Sequence, residues 1–242
     1  MTTERGRASS GFPIGLTVAT AIAFAILIGL GTWQVQRLHW KEALLARIAA
    51  LQAARARPID DVLAEVARGA DADYTRVTAI CPGLPKAPAV ELYSIRNGEA
   101  GARLVSACRL TGSAYGGVLV DKGFVPDFEK ARPAVDPADT TPFELTGVLR
   151  KPERGNFMSP PATPGHWFVR DVPAMAVALH ADHVAPLTLM AETPTNPEFK
   201  ALTPAPIPVD IPNRHLEYAI TWYGLAAALL GVYAAMLLKR RS

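Results

Sequence analysis

Two stretches of this sequence carry no charged residue: GFPIGLTVATAIAFAILIGLG, from Gly11 to Gly31, and AITWYGLAAALLGVYAAMLL, from Ala219 to Leu238. Each is about 20 residues, close to what a helix needs to cross a hydrocarbon core of about 30 Å. Lipid offers no partner to a backbone N–H or C=O, so each run is expected to be one continuous helix. Arg5 and Arg7 precede the first run as they would precede a signal peptide. Its apolar part is too long for a signal core, and no A-x-A site closes it, so it reads as an uncleaved anchor.

Charge sets the expected topology. The net charge of the 242 residues is +3. Residues 32–217 hold 20 basic and 21 acidic side chains, so the excess sits at the ends, in Arg5, Arg7, Lys239, Arg240 and Arg241. Basic flanks read as cytoplasmic ends. A neutral middle gives no footprint for nucleic acid. The division is then a cytoplasmic tail (1–10), a first transmembrane helix (11–32), an interfacial helix extension (33–57), a periplasmic domain (58–193), a Pro-rich connector (194–214), a second transmembrane helix (215–238) and a cytoplasmic tail (239–242). With no Arg-rich, acid-poor leader, the expected membrane is the inner membrane of a bacterium.

Between the anchors the pattern changes. Leu38, Leu44, Leu45, Ile48 and Leu51 keep helical spacing beyond the first run, and Gln34, Arg37 and Lys41 share its polar face. Trp33 and Trp40 suit a headgroup layer. Pro58 is expected to end this helix, and a short one is expected over Ile59–Arg68. Then come YTRVTAIC, AVELYSIR, ARLVSACRL, GGVLVDKGFV and FELTGVLRK, short and bounded by turn residues. They predict an antiparallel β-rich domain, barrel- or sandwich-like, in an α+β two-span membrane protein. Residues 169–179 are expected to be helical. Six prolines in 194–212 predict an extended return to the membrane.

Chemistry is sparse. There is no G-x-S-x-G, P-loop, G-x-G-x-x-G or H-E-x-x-H pattern, so no catalytic residue is assigned and the chain is not expected to be an enzyme. Cys81 and Cys108 are either a disulfide of an oxidising compartment or two separately buried thiols. His180 and His183, three apart, would face together on a helix, as a polar helix end or as metal ligands. His166, in TPGHWF, reads as turn packing. His215 stands at the mouth of the second run, sharing a helical face with Tyr218 and Trp222. An imidazole there is either an interfacial residue or an iron ligand flanked by aromatics. Two small-residue stripes, Ala21, Ala25 and Gly29 against Gly224, Ala228, Gly231 and Ala235, are expected to pack the spans together. That pairing would bring His215 near Trp33 and near Arg37 and Lys41, two cations suited to carboxylates or to lipid phosphates.

Four motifs carry a family likeness. GLGTWQVQRLHWKEALL, VLVDKGFVP (118–126), LTGVLRKPE (145–153) and NRHLEYAITWYGLA (213–226) occur in the order and spacing of the Surfeit locus protein 1 family, which the chain resembles over nearly its whole length. In the second motif Asp121, Lys122 and Phe124 stand where the family usually has Asn, Arg and Trp. The resemblance implies an assembly factor for haem-copper cytochrome c oxidase, with partners in the catalytic subunit, other assembly factors and the bilayer. It implies haem a as a transient cofactor, with His215 as the iron ligand; Tyr218 and Trp222 on its helical face, and Arg37 and Lys41 across the expected helix pairing, would then stand around it. A haem-free scaffold for an oxidase subunit is the other reading.

Overall fold

The computed structural model describes residues 13–152, 163, 166–204 and 213–241. The first tail, the start of the first apolar run, residues 153–162 and the last eight residues of the Pro-rich segment fall outside that range. The chain divides into two compact units, one of helix up to Arg47 with the C-terminal helix, the other spanning residues 48–209.

The helical unit has two members. Helix α1 runs Ile14–Ala53, 40 residues, or about 60 Å at 1.5 Å per residue. Its apolar part needs only about half of that length to cross a bilayer. It stops five residues short of Pro58. The residue before a proline avoids the α region, and Arg57–Pro58 is instead taken up as strand β1. Helix α4 runs His215–Arg241. Both are long and apolar enough to cross a membrane, and only 11% and 6% of their most apolar windows are buried. A core helix of a soluble domain would hide that surface.

The helices are antiparallel, but not through the small-residue stripes. Gly29, Gly224 and Gly231 have nothing within 4 Å of a built Cβ, and Ala21, Ala25, Ala228 and Ala235 are exposed. The facing sides carry Thr20, Gly31, Ala219 and Ala226, all buried. Gly31 lies so close to the Tyr223 ring that a Cβ would sit 2.7 Å from it. The Tyr233 and Thr17 hydroxyls are 2.5 Å apart, and Thr17 already donates to the Pro13 carbonyl, so Tyr233 is the donor. Thr32 and Tyr223 pair at 3.2 Å. A hydroxyl in an apolar run needs a partner, and satisfying them selects this face over the one with the smallest side chains.

The second unit is a sheet with both faces covered. Strands β1 (Arg57–Pro58), β2 (Arg76–Ile80), β3 (Ala89–Arg96), β4 (Glu99–Arg109), β5 (Gly117–Pro126), β6 (Glu144–Arg150), β7 (His166–Trp167) and β8 (Val184–Ala191) lie in the order β1-β2-β6-β8-β5-β4-β3-β7. The sheet is mixed, correcting the antiparallel expectation: β1–β2, β3–β7 and β5–β8 are parallel. Strand spacing alone does not reveal these, because β8 enters between β5 and β6 after a crossover through helix α3 (Val172–Ala178). Helix α2 (Ile59–Ala67) ends one residue before the expected limit. Asn97 and Gly98, both at positive φ, make the two-residue turn of the β3–β4 hairpin.

Strand β5 is the spine. Residues 117–125 are all buried, and side chains alternate between two faces. Val118 and Val120 point into a core with Val62, Leu63, Leu84, Leu149 and Leu189. Leu119 points into the other, with Val105, Val172 and Met175. Residues 194–204 carry no helix, as their prolines require, yet they pack on β5. Phe124 and Thr203 exchange backbone hydrogen bonds of 2.8 and 3.0 Å, and the Thr195 hydroxyl donates to the Lys122 carbonyl. Gly123, at φ +131°, admits this strap, since a Cβ would meet the Thr203 carbonyl at 2.4 Å.

Candidate functional site

Helix α4 begins at His215, three residues after Pro212 in the sequence, with Glu217 in its first turn, where a carboxylate complements the helix dipole. His215 is therefore the first helical residue of the second apolar helix. It is half-buried, and its Nδ1 lies 2.7 Å from Oε1 of Gln34 on α1. Gln34 is three residues beyond Gly31, so the contact that admits the Tyr223 ring also sets the register at which Gln34 meets His215.

The expected neighbours are distributed differently. Gln34, rather than Trp33, Arg37 or Lys41, is the residue hydrogen-bonded to His215. Arg37 and Lys41 stand one and two turns further along the same face of α1. The Arg37 guanidinium lies 4.5 Å over the Trp40 ring, and Lys41 is half-buried. Trp222 is half-buried and Tyr218 is 54% exposed, both on the His215 face of α4. Trp33 and Trp40 are more than half exposed, as residues of a headgroup layer should be. Nothing in the spacing marks Gln34 as the partner of His215. The available signal is that a polar amide at the end of an apolar run needs a partner from the facing helix.

The other histidines do not form a site. α3 ends at Ala178, and His180 and His183 follow at φ of 50° and 51°, so they lie on a turn and not on one helical face. His183 packs against Tyr115, with ring centroids 5.4 Å apart. His166 pairs as part of β7 and approaches Glu91 at 3.7 Å. His39 lies 3.6 Å from Glu42 on α1. Among the described residues no group of three or more His, Cys, Asp or Glu could hold a metal ion. A cleft of about 870 Å³ in the sheet unit is lined by Ile59, Ile80, Leu110 and Leu179, with Asp60 and Asp139 among its polar residues.

The sheet unit carries buried polar groups whose roles sequence reasoning missed. Asp121 and Lys122 are both 1% exposed, on opposite faces of β5. Asp121 accepts from Arg103 and from Arg170, the latter at 3.0 Å, and from the Gly123 amide. Lys122 donates to the Pro85 carbonyl at 3.1 Å, and burial pushes its ammonium down to about 8. The Asn196 amide donates to the same carbonyl. The VLVDKGFVP motif thus ties sheet, strap and helix α3 together. Cys81 and Cys108 form a disulfide, with Cα atoms 5.1 Å apart and both side chains buried.

The four motifs fall on α1, β5, β6 and α4. A family model described as the SURF1 family matches residues 21–227. Surfeit locus protein 1 of Takifugu rubripes is 29% identical over 238 residues, covering 89% of this chain and 94% of that protein. The Homo sapiens protein of that name is 31% identical over 222 residues, covering 83% and 70%. The Mus musculus protein is 30% identical over 225 residues, covering 84% and 70%. With the whole sheet and parts of both apolar helices inside one continuous match, the chain belongs to the SURF1 family.

Proposed function

We propose that this protein assists assembly of haem-copper cytochrome c oxidase by holding haem a at the membrane face and presenting it to the catalytic subunit. The observation that carries this reading is His215: a half-buried imidazole at the start of an apolar helix, with one nitrogen held by Gln34. The donor set fits the cargo. His215 supplies a neutral nitrogen ligand of the kind haem iron takes. Trp222 and Tyr218 offer aromatic surface on the same side, and Arg37 and Lys41 offer cations for propionates. The protein binds, orients and releases: the His215–iron coordination forms and is given up, and no covalent bond of the cargo changes.

The reading extends to location. A disulfide persists in an oxidising compartment, and Cys81–Cys108 lies in the sheet unit. Lys239, Arg240 and Arg241 follow the second span, a cytoplasmic signature. Both termini in the cytoplasm and the sheet unit in the periplasm of a bacterial inner membrane satisfy both.

The test is an absorption spectrum of the protein purified in detergent from cells that make haem a, beside His215→Ala. The expected result is a Soret band near one haem per chain, lost in the variant. A band that survives the substitution would remove His215 from the site. No band in either preparation, with the oxidase subunit co-purifying, would favour the haem-free scaffold.

A further inference from the structure

We infer that Gln34 is the positioning residue of the haem site: its side-chain oxygen fixes the His215 tautomer and aims Nε2 as the ligating atom. This rests on the reading of His215 as the iron ligand. The observation behind it is the contact of 2.7 Å between Gln34 Oε1 and His215 Nδ1.

An amide oxygen only accepts, so the ring nitrogen facing it carries the proton. A neutral imidazole has one N–H. With the proton on Nδ1, Nε2 keeps its lone pair in the ring plane, and only that nitrogen is a σ-donor to a metal. The same bond stops rotation of the ring about its Cβ–Cγ axis, so the lone pair has one direction rather than a cone of them. A metal-ligating histidine is commonly held this way by a carbonyl or carboxylate on its other nitrogen, which also raises ligand basicity.

The surroundings hold Gln34 where it can do this. It sits well inside α1, with about five helical turns following up to Ala53. Gly31, one turn earlier, takes the Tyr223 ring against its backbone, and the Thr32 and Tyr223 hydroxyls close the same level. The glutamine therefore comes from a different helix than the ligand it orients, and separating α1 from α4 loosens the ligand. The arrangement couples helix pairing to ligand strength. Any partner that parts the two helices at this level would weaken the hold on haem.

A purely structural reading makes the contact an interhelical hydrogen bond and nothing more. The two differ in what reaches the iron. The experiment uses the full chain from cells making haem a, with Gln34→Leu, Gln34→Glu and His215→Ala, and reads haem affinity and the reduction midpoint of the bound iron. The inference predicts that the Leu variant loses about 10- to 100-fold in affinity. It predicts that the Glu variant keeps haem but has a lower midpoint, because a carboxylate draws the Nδ1 proton more strongly and makes Nε2 the stronger donor. A Glu variant with the wild-type midpoint overturns the inference whatever the Leu variant does, since the contact then acts only between helices. Should the Leu variant fail to accumulate, the Glu variant decides alone. If His215→Ala retains its haem, the functional reading itself fails and this inference with it. Loss of haem in His215→Ala with both Gln34 variants unchanged leaves that reading intact and removes Gln34.

Discussion

Asp121 and Arg170 meet in the interior of the sheet unit, carboxylate Oδ2 to guanidinium Nη2 at 3.0 Å, with the Asp121 side chain wholly buried and Arg170 9% exposed. Arg103 reaches the same oxygen from β4. One carboxylate therefore neutralises charge from two elements that the chain separates by 67 residues, β4 and the approach to α3. Removing one partner of a buried pair leaves the other uncompensated.

Asp121→Ala is therefore expected to destabilise the protein by about 3–5 kcal/mol. Asp121→Asn, which keeps an acceptor for Gly123, is expected to cost less. Thermal melts of the full chain in detergent check this. Equal melting temperatures for wild type and Asp121→Ala would mean that the pair contributes nothing.

Lys122 gives a prediction in pH. Its ammonium titrates at about 8 in the folded protein against 10.5 when unfolded. Between those values the unfolded chain binds more protons, so the Lys122 contribution raises stability as pH increases from about 8 to 10.5. A gap of 2.5 pH units corresponds to about 3 kcal/mol. Lys122→Met removes the buried charge and leaves the Pro85 carbonyl its bond from Asn196. It is expected to be the more stable protein at pH 7, with the difference shrinking toward pH 10. A constant difference across that range would show that burial does not depress the lysine.

Gly31 and Gly29 are two residues apart on α1 but differ in what they face. A methyl group at 31 meets the Tyr223 ring at 2.7 Å, whereas 29 is open. Gly31→Ala is expected to cost about 1–3 kcal/mol through overpacking, and Gly29→Ala to cost nothing. Cysteines introduced at Thr17 and Tyr233, whose hydroxyls touch, provide a crosslinking readout. The yield should fall with Gly31→Ala and hold with Gly29→Ala. The reverse result would return the small-residue stripe to the helix interface.

The sequence discloses the elements better than their partners. Both apolar helices and strands β2 to β6 follow from length, periodicity and turn residues. Strand β8 does not, because VAPLTLMA contains Pro186, which argues against a central strand. The structure accommodates it at an irregularity: pairing with β5 jumps from Val184 to Thr188, and pairing with β6 begins only at Thr188. The helix face that pairs is hidden in the sequence for a related reason. Small residues recur all round both spans, so size alone does not choose a side, and the hydroxyls of Thr17, Thr32, Tyr223 and Tyr233 do. His215 stood out by position, but Gln34 depends on a pairing between residues 181 apart, which no local pattern encodes.

The disulfide supplies the last prediction. Cys81 and Cys108 are 27 residues apart. Closing a loop of that size removes about 3.5 kcal/mol of unfolded-chain entropy on the loop-closure account. Replacing both cysteines by alanine is expected to lower the melting temperature by about 10 °C, at the 2–4 °C per kcal/mol typical of a unit of this size. Compartment enters through the same bond. Protein recovered from the membrane and unfolded under alkylating conditions is expected to take up no thiol reagent until it is reduced, and then to take up two equivalents. Labelling at two sites without reduction would mean that the cysteines are thiols in the cell, and would place the sheet unit on the reducing side. The melting experiment separates the outcomes further, since a pair that is never oxidised leaves the double alanine variant melting close to the wild type.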